Sequence, residues 1–205
     1  MSNKWLGLFG AGGYAREVMP MAREQYLNRK LVFIEDIPRS RSCNDHGVVS
    51  FAEFASEGGE ITIAIGDPKL RRNLAVRCRE AGLEFFSVQS SQSLMMDDIV
   101  VGEGALLSPF TIITSNARIG VHFQCNLYSY VAHDCVIGDF VTFAPAVRCN
   151  GNVTIGDNAY IGTGAIIRQG LTIGAGAVVG MGAVVTRDVP AGETWVGNPA
   201  KSLRR

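Results

Sequence analysis

Stepping by six from Val101, the chain meets an apolar residue fifteen times in succession, ending at Val185, without a slip of register. Glycine follows several of these positions, as at Gly102, Gly120, Gly138, Gly156, Gly162, Gly174 and Gly180. Four places after many of them sits a small or aliphatic residue, among them Ala105, Ala117, Val141, Ala159 and Ala177. An amphipathic helix needs apolar spacings of three and four, and a half-buried strand needs two; neither produces six. A six-residue period predicts a prism-shaped parallel β-helix, in which each hexapeptide is one flat side and three sides make a coil. Residues eighteen apart then stack, so Val101, Ile119, Ile137, Ile155 and Ile173 should form one inward ladder. About five coils fit between Val101 and Pro190. Cys125 and Cys149 fall on inward positions, which predicts buried thiols behaving as small hydrophobes.

The first third follows another rhythm. "KWLGLFGAGGYAREVMPMAREQY" reads as a short strand, a glycine-rich turn and a helix with Val18, Met19 and Ala22 on one face. "KLVFIED" and "ITIAIGD" predict a second and a third strand, and "LEFFSVQ" a fourth. "PKLRRNLAVRCREAG" predicts a helix that opens on proline and ends at Gly82. Alternating strands and helices imply a small Rossmann-like parallel sheet with covering helices. The fold class is therefore an α/β N-terminal domain followed by an all-β helix domain, spanning residues 1–92 and 93–205 with the boundary inside the polar "QSSQS".

Composition narrows the function classes. Nineteen basic and nineteen acidic residues cancel, so no field argues for nucleic acid or an anionic membrane. No run of about 18 apolar residues and no leader-like N-terminus occurs, which reads as a soluble cytoplasmic chain without membrane insertion. Five cysteines with no CxxC pair argue against a disulfide framework or a zinc site.

Two places carry candidate chemistry. Gly10-x-Gly12-x-x-Ala15 lies at the first strand-to-helix turn, where glycines let backbone amides approach a phosphate. Asp36 ends the next strand, as a ribose-reading acid would. The unit is small for a full dinucleotide site, and a nucleotide diphosphate fits better; a tight turn with no ligand is the plain alternative. In "YVAHDCVIGD", His133 stands two places past inward Val131, not obviously on the core ladder, with Asp134 beside it; a buried structural histidine is the plain alternative to a base. An imidazole titrates at about 6.5 and can accept a proton near neutrality. A neighbouring carboxylate would favour its charged form and orient it. Contact between the two requires a corner or an irregular backbone, since successive strand residues face opposite sides. His46 and His122 show no ligand spacing with His133, so no metal is expected.

The sequence as a whole resembles the bacterial nucleotide-sugar N-acetyltransferases of the hexapeptide-repeat superfamily. "HDCVIGDFVTFAP", "GNVTIGDNAYIGTGAII" and "WVGNPAK" carry the resemblance, with the small α/β domain in front. It implies a left-handed β-helix, acetyl-CoA as acetyl donor and a nucleotide-linked amino (dideoxy) sugar as acceptor, for surface glycans. It also implies a homotrimer with the donor held between neighbouring prisms. Outward Tyr128, Tyr130 and Phe140 need cover, which agrees with such an assembly. By the resemblance His133 is the general base, Asp134 raises its basicity, and Asn126 sits near the reaction centre. Gly12, Gly13, Tyr14, Glu35, Asp36, Gly66 and Lys69 match positions contacting the nucleotide-sugar. Thr142, Gly151, Thr163, Met181 and Gly182 match the acetyl-CoA groove. Some relatives carry a second histidine where this chain has Thr142, so a two-histidine mechanism is excluded. Lys201, Arg204 and Arg205 are candidates for CoA phosphates, or plain solvated charges. Two alternatives stay open: O-acetylation of the sialic-acid type, and a non-catalytic β-helix module. The sequence does not choose among UDP, dTDP and GDP.

Overall fold

A computed structural model describes residues 5–203. The α/β domain opens with β1 (Trp5–Phe9), α1 (Gly13–Gln25) and β2 (Leu31–Glu35). Next come β3 (Ser42–Cys43), β4 (His46–Ser50), α2 (Phe51–Glu57), β5 (Gly59–Ile63) and α3 (Pro68–Glu80), and β6 (Glu84–Phe85) closes it. The sheet runs β3-β4-β2-β1-β5-β6. Its pairs are parallel apart from the β3–β4 hairpin, so the sheet is mixed. Asn44 and Asp45 turn that hairpin with φ of 46° and 62°, the two successive positive angles of a type I′ turn. Ser50 caps α2 by accepting a hydrogen bond from Glu53 N at 3.1 Å, the first half of a capping box. Asp67 caps α3 in the same way through Leu70 N, with Pro68 in the first turn.

The expected fourth strand divides in two. Glu84 and Phe85 pair with β5, whereas β7 (Val88–Gln89) pairs with Leu106 and Leu107 as the first rung of the β-helix. Phe86 and Val88 are buried with Leu8, Val18 and Leu106 in one cluster that spans the junction. The prism thus begins before residue 93, and no linker separates the two units.

Beyond β7 the chain repeats a two-residue strand every six positions, from β8 (Leu94–Met95) and β9 (Val100–Val101) through Val184–Val185. The first prism face stacks Val88, Leu106, Gln124, Thr142, Tyr160 and Val178; the second stacks Leu94, Ile112, Tyr130, Arg148, Ile166 and Val184. The third carries Val100, Arg118, Val136, Thr154 and Thr172. In each strand the first residue points outward and the second inward. Ile119, Ile137, Ile155 and Ile173 accordingly pair in register and are 0–4% exposed. Each such side chain taken from water contributes about 1.5–3 kcal/mol. Cys125 and Cys149 are fully buried in this core.

From Asp98 to Gly182 each corner of the prism places one residue in the left-handed region, again at a spacing of six. One column holds Phe110, Tyr128, Ala146, Gly164 and Gly182; a second holds Asp98, Asn116, Asp134, Asn152 and Gly170; a third holds Gly104, His122, Phe140, Asn158 and Gly176. Glycine, Asn and Asp tolerate this backbone; a bulky residue pays about 1–2 kcal/mol. Phe110 and Tyr128 offset part of that cost by stacking at 5.1 Å. Phe140 is not the exposed outer residue the sequence suggested. It is buried against the α/β domain, stacked on His122 at 4.9 Å.

Arg71 of α3 locks the two domains together. Fully buried, it donates to Ile65 O (2.7 Å), Phe140 O (2.8 Å), His122 O (3.1 Å) and Thr142 Oγ1 (2.9 Å). Burial lowers its pKa to about 10, which leaves it charged at neutral pH.

Candidate active site

The left-handed corner at Asp134 (φ 59°) answers the question of contact. Reversing the chain there puts neighbouring side chains on one side, and His133 Nδ1 lies 2.7 Å from Asp134 Oδ2. Both are open to solvent, at 65% and 51% exposure. The His133 hydrogen bond, and then one from Asn116, hold the Asp134 carboxyl below its usual pKa. An ionised carboxylate only accepts, so the neutral ring carries its proton on Nδ1 and its lone pair on Nε2. Gly151, eighteen residues on, lies directly beneath the ring. A Cβ there would sit 2.5 Å from His133 Cε1 and Nε2. Glycine here leaves room for the imidazole in this position, and its φ is unremarkable.

Asn126 occupies a different corner, the one between the first and second faces. It lines a pocket of about 170 Å³ with Tyr14, Gly66, Gln124, Thr142, Tyr160 and Thr163. Five of the residues singled out from sequence therefore converge here, from both domains. Thr142 is nearly buried, and its hydroxyl donates to Gly66 O at 2.8 Å while accepting from Arg71. Its proton is thus already committed to this chain's own backbone. Gln124, which sequence reasoning missed, donates from Nε2 to Ile63 O at 2.9 Å. Burial holds the Tyr14 phenol well above its ordinary pKa. Met181, 82% exposed, and Gly182 lie on this same corner with Thr163, whose carbonyl accepts from Gly182 N. At Gly164 and Gly182 a Cβ would meet nothing within 4 Å.

A second pocket, about 480 Å³, opens at the carboxyl ends of β1 and β2 and is lined by Gly12, Glu35, Asp36, Arg39, Ser42 and Val48, among others. This is where parallel sheets bind ligands, beside the strand at which the order reverses. Arg77, lying over the Phe51 ring at 3.9 Å, holds Asp36 Oδ1 at 2.6 Å. Gly10 needs its glycine for a φ of 109°, but at Gly12, Gly13 and Gly66 a Cβ would meet no atom within 4 Å. The fold itself makes no demand for glycine at those three. Lys69 is exposed in the first turn of α3. Lys201 is exposed on the C-terminal hairpin, and Arg204 and Arg205 lie outside the described residues. Among the described residues no three His, Cys, Asp or Glu side chains cluster as metal ligands.

Comparison with known proteins decides the family. Residues 6–78 match the PglD N-terminal domain, and residues 152–187 match the bacterial transferase hexapeptide. Over 97% of its length the chain is 44% identical to GDP-perosamine N-acetyltransferase of Escherichia coli O157:H7, covering 96% of that protein. It belongs to the hexapeptide-repeat nucleotide-sugar N-acetyltransferases. The solved structure of WeeI from Acinetobacter baumannii AYE superposes with a TM-score of 0.94 at 47% identity, covering 97% of this chain and 99% of that one. A histidine-to-asparagine variant of perosamine N-acetyltransferase from Caulobacter crescentus, in complex with CoA and GDP-perosamine, gives a TM-score of 0.93 at 27% identity. That match covers 100% of this chain and 99% of the other. The expected family and fold class hold for this acetyltransferase, and no helix among its described residues is long and apolar enough to cross a membrane.

Proposed function

We propose that this enzyme transfers acetyl from acetyl-CoA to the amino group of a GDP-linked amino sugar of the perosamine type, in surface-glycan assembly, with His133 as general base. The observation that carries the mechanism is the 2.7 Å contact between His133 Nδ1 and Asp134, which leaves Nε2 free and exposed. An amine attacking a thioester forms a C–N bond, sheds a proton and expels a thiolate. Nε2 takes that proton and returns it to the departing sulfur, while Asp134 steadies the imidazolium. The E. coli relative's name and the ligands of the Caulobacter complex support the GDP-sugar acceptor. The pocket beside Glu35 and Asp36 receives the nucleoside diphosphate. Backbone approach at Gly12 and Gly13, where the chain leaves room, serves its phosphates. We place the enzyme in the cytoplasm, where acetyl-CoA and nucleotide sugars are made. The direct test is thiol release with GDP-perosamine and acetyl-CoA. His133→Asn should retain the fold and lose about 100- to 10,000-fold in turnover. Near-normal turnover in that variant would remove His133 from the chemistry.

We further propose a homotrimer in which second faces meet. Leu94 and Ile112 on that face are exposed, and Tyr130, Ile166 and Val184 continue it. His133 and Gly151 stand at one edge of this face, and Asn126, Met181 and Gly182 at the other. Packing copies around a threefold axis would bring opposite edges into one groove for acetyl-CoA. Mixing His133→Ala with Gly182→Trp chains should then restore part of the activity, once a tag pull-down confirms subunit exchange. Exchange without recovery would mean that both edges act within one chain.

A further inference from the structure

Asp134 has a second partner that neither the motif nor the mechanism accounts for. Asn116 sits one coil earlier in the same corner column, and its Nδ2 donates to Asp134 Oδ1 at 3.0 Å. Asp134 Oδ2 meanwhile accepts from His133 Nδ1. The corner backbone does not need that amide. Asn116 N donates to Asp97 O at 3.0 Å, Asp134 N to Ser115 O at 3.1 Å and Asn152 N to His133 O at 2.8 Å, so each turn is tied to its neighbour through main chain. An aspartate on an exposed corner can rotate about two side-chain torsions. With the histidine as its one partner, nothing else would fix the carboxylate plane. A second bond to the other oxygen does so, because the two oxygens are then held by groups on successive coils of a rigid prism.

We propose that Asn116 is a positioning residue for the acetyl-transfer reaction: it holds the Asp134 carboxylate toward His133 Nδ1, so that the neutral imidazole presents its lone pair on Nε2. The inference rests on the reading of His133 as base. Neighbouring positions show that an asparagine here need not be explained by function. Asn152, one coil later, adopts the same left-handed backbone, and its side chain does not bond Asp134. The test therefore has to separate the amide from the backbone.

Asn116→Gly keeps the φ of 62° at no steric cost and removes the amide alone. Asn116→Asp keeps the shape and the tolerance for this backbone, but replaces the donor with a like charge facing Asp134. Asn152→Gly makes the same backbone change with no bond lost to the dyad. In Asn116→Gly, kcat should fall about five- to tenfold with both KM values little changed. Asn116→Asp should fall further, and Asn152→Gly should match the parent. ¹⁵N spectra of the His133 ring supply a readout independent of turnover. The parent should show Nδ1 protonated and Nε2 bare in the neutral form, and Asn116→Gly a mixture of both tautomers. Unchanged spectra and kcat in Asn116→Gly, full activity in Asn116→Asp, or an equal loss in Asn152→Gly would each overturn the proposal. A shifted tautomer mixture with unchanged kcat would uphold the positioning and instead remove His133 as base.

Discussion

His122 should make the fold sensitive to acid. Its ring is fully buried at the domain junction, stacked on Phe140 and meeting Phe85 edge-on at 4.4 Å. It fits because residue 104 is glycine: a Cβ there would lie 2.3 Å from His122 Nδ1. Burial first, and then the charges of Arg71 and Arg79, lower its pKa from 6.5 to about 4. The folded protein therefore keeps His122 neutral at pH values where the unfolded chain has taken up a proton. Stability from this group is complete above pH 6.5 and is lost as the pH falls from 6.5 toward 4. Below that both states are protonated and the loss stops. A gap of this size corresponds to about 3 kcal/mol in total, of which about 2.5 kcal/mol is lost by pH 4.5. Urea unfolding followed by tryptophan fluorescence, at one protein concentration and at pH 7 and 4.5, measures that difference. His122→Phe, an aromatic ring of similar shape that cannot titrate, should lose less between the two pH values by about the same amount. An equal acid loss in parent and variant would show that the sensitivity lies elsewhere.

Two further outcomes follow from the same packing. Arg71→Leu strands several buried carbonyls at the junction, Ile65 O and Phe140 O among them, and should cost at least about 3 kcal/mol in denaturant unfolding; a loss below about 1 kcal/mol would mean the domains are held by apolar contacts alone. Gly151→Ala should leave the unfolding midpoint nearly unchanged but displace the imidazole, lowering kcat about tenfold in steady-state assays; unaltered kcat would show that the ring tolerates a shift.

The prism was plain in the sequence because a six-residue period leaves every inward position to be counted, and the Ile119 to Ile173 ladder falls where the count put it. The corners were harder to read. Asn126 and His133 look adjacent along the chain, yet a face of the prism separates them. The β3–β4 hairpin and α2 went unread although their signals are local, Asn44-Asp45 for the turn and Ser50-x-x-Glu53 for the cap. Splitting of "LEFFSVQ" depends on what lies beside it, since a continuous apolar run does not reveal that its halves join different sheets. Arg71 gave no signal at all: in "PKLRRNLAVRCREAG" a buried arginine and an exposed one look alike, and the carbonyls that hold it come from as far as Phe140 and Val141.

Two-residue strands stacked at intervals of eighteen also govern which length changes the chain can survive. Deleting one residue between Val101 and Val185 turns every later inward side chain away from the core until a corner absorbs the error, so most such deletions should be purged. Adding eighteen residues in phase lengthens the prism by a coil, with each new strand finding ready partners above and below. Drift in this half of the protein is therefore quantised: it can gain or lose whole storeys, or bulge outward at a corner, but it cannot slide.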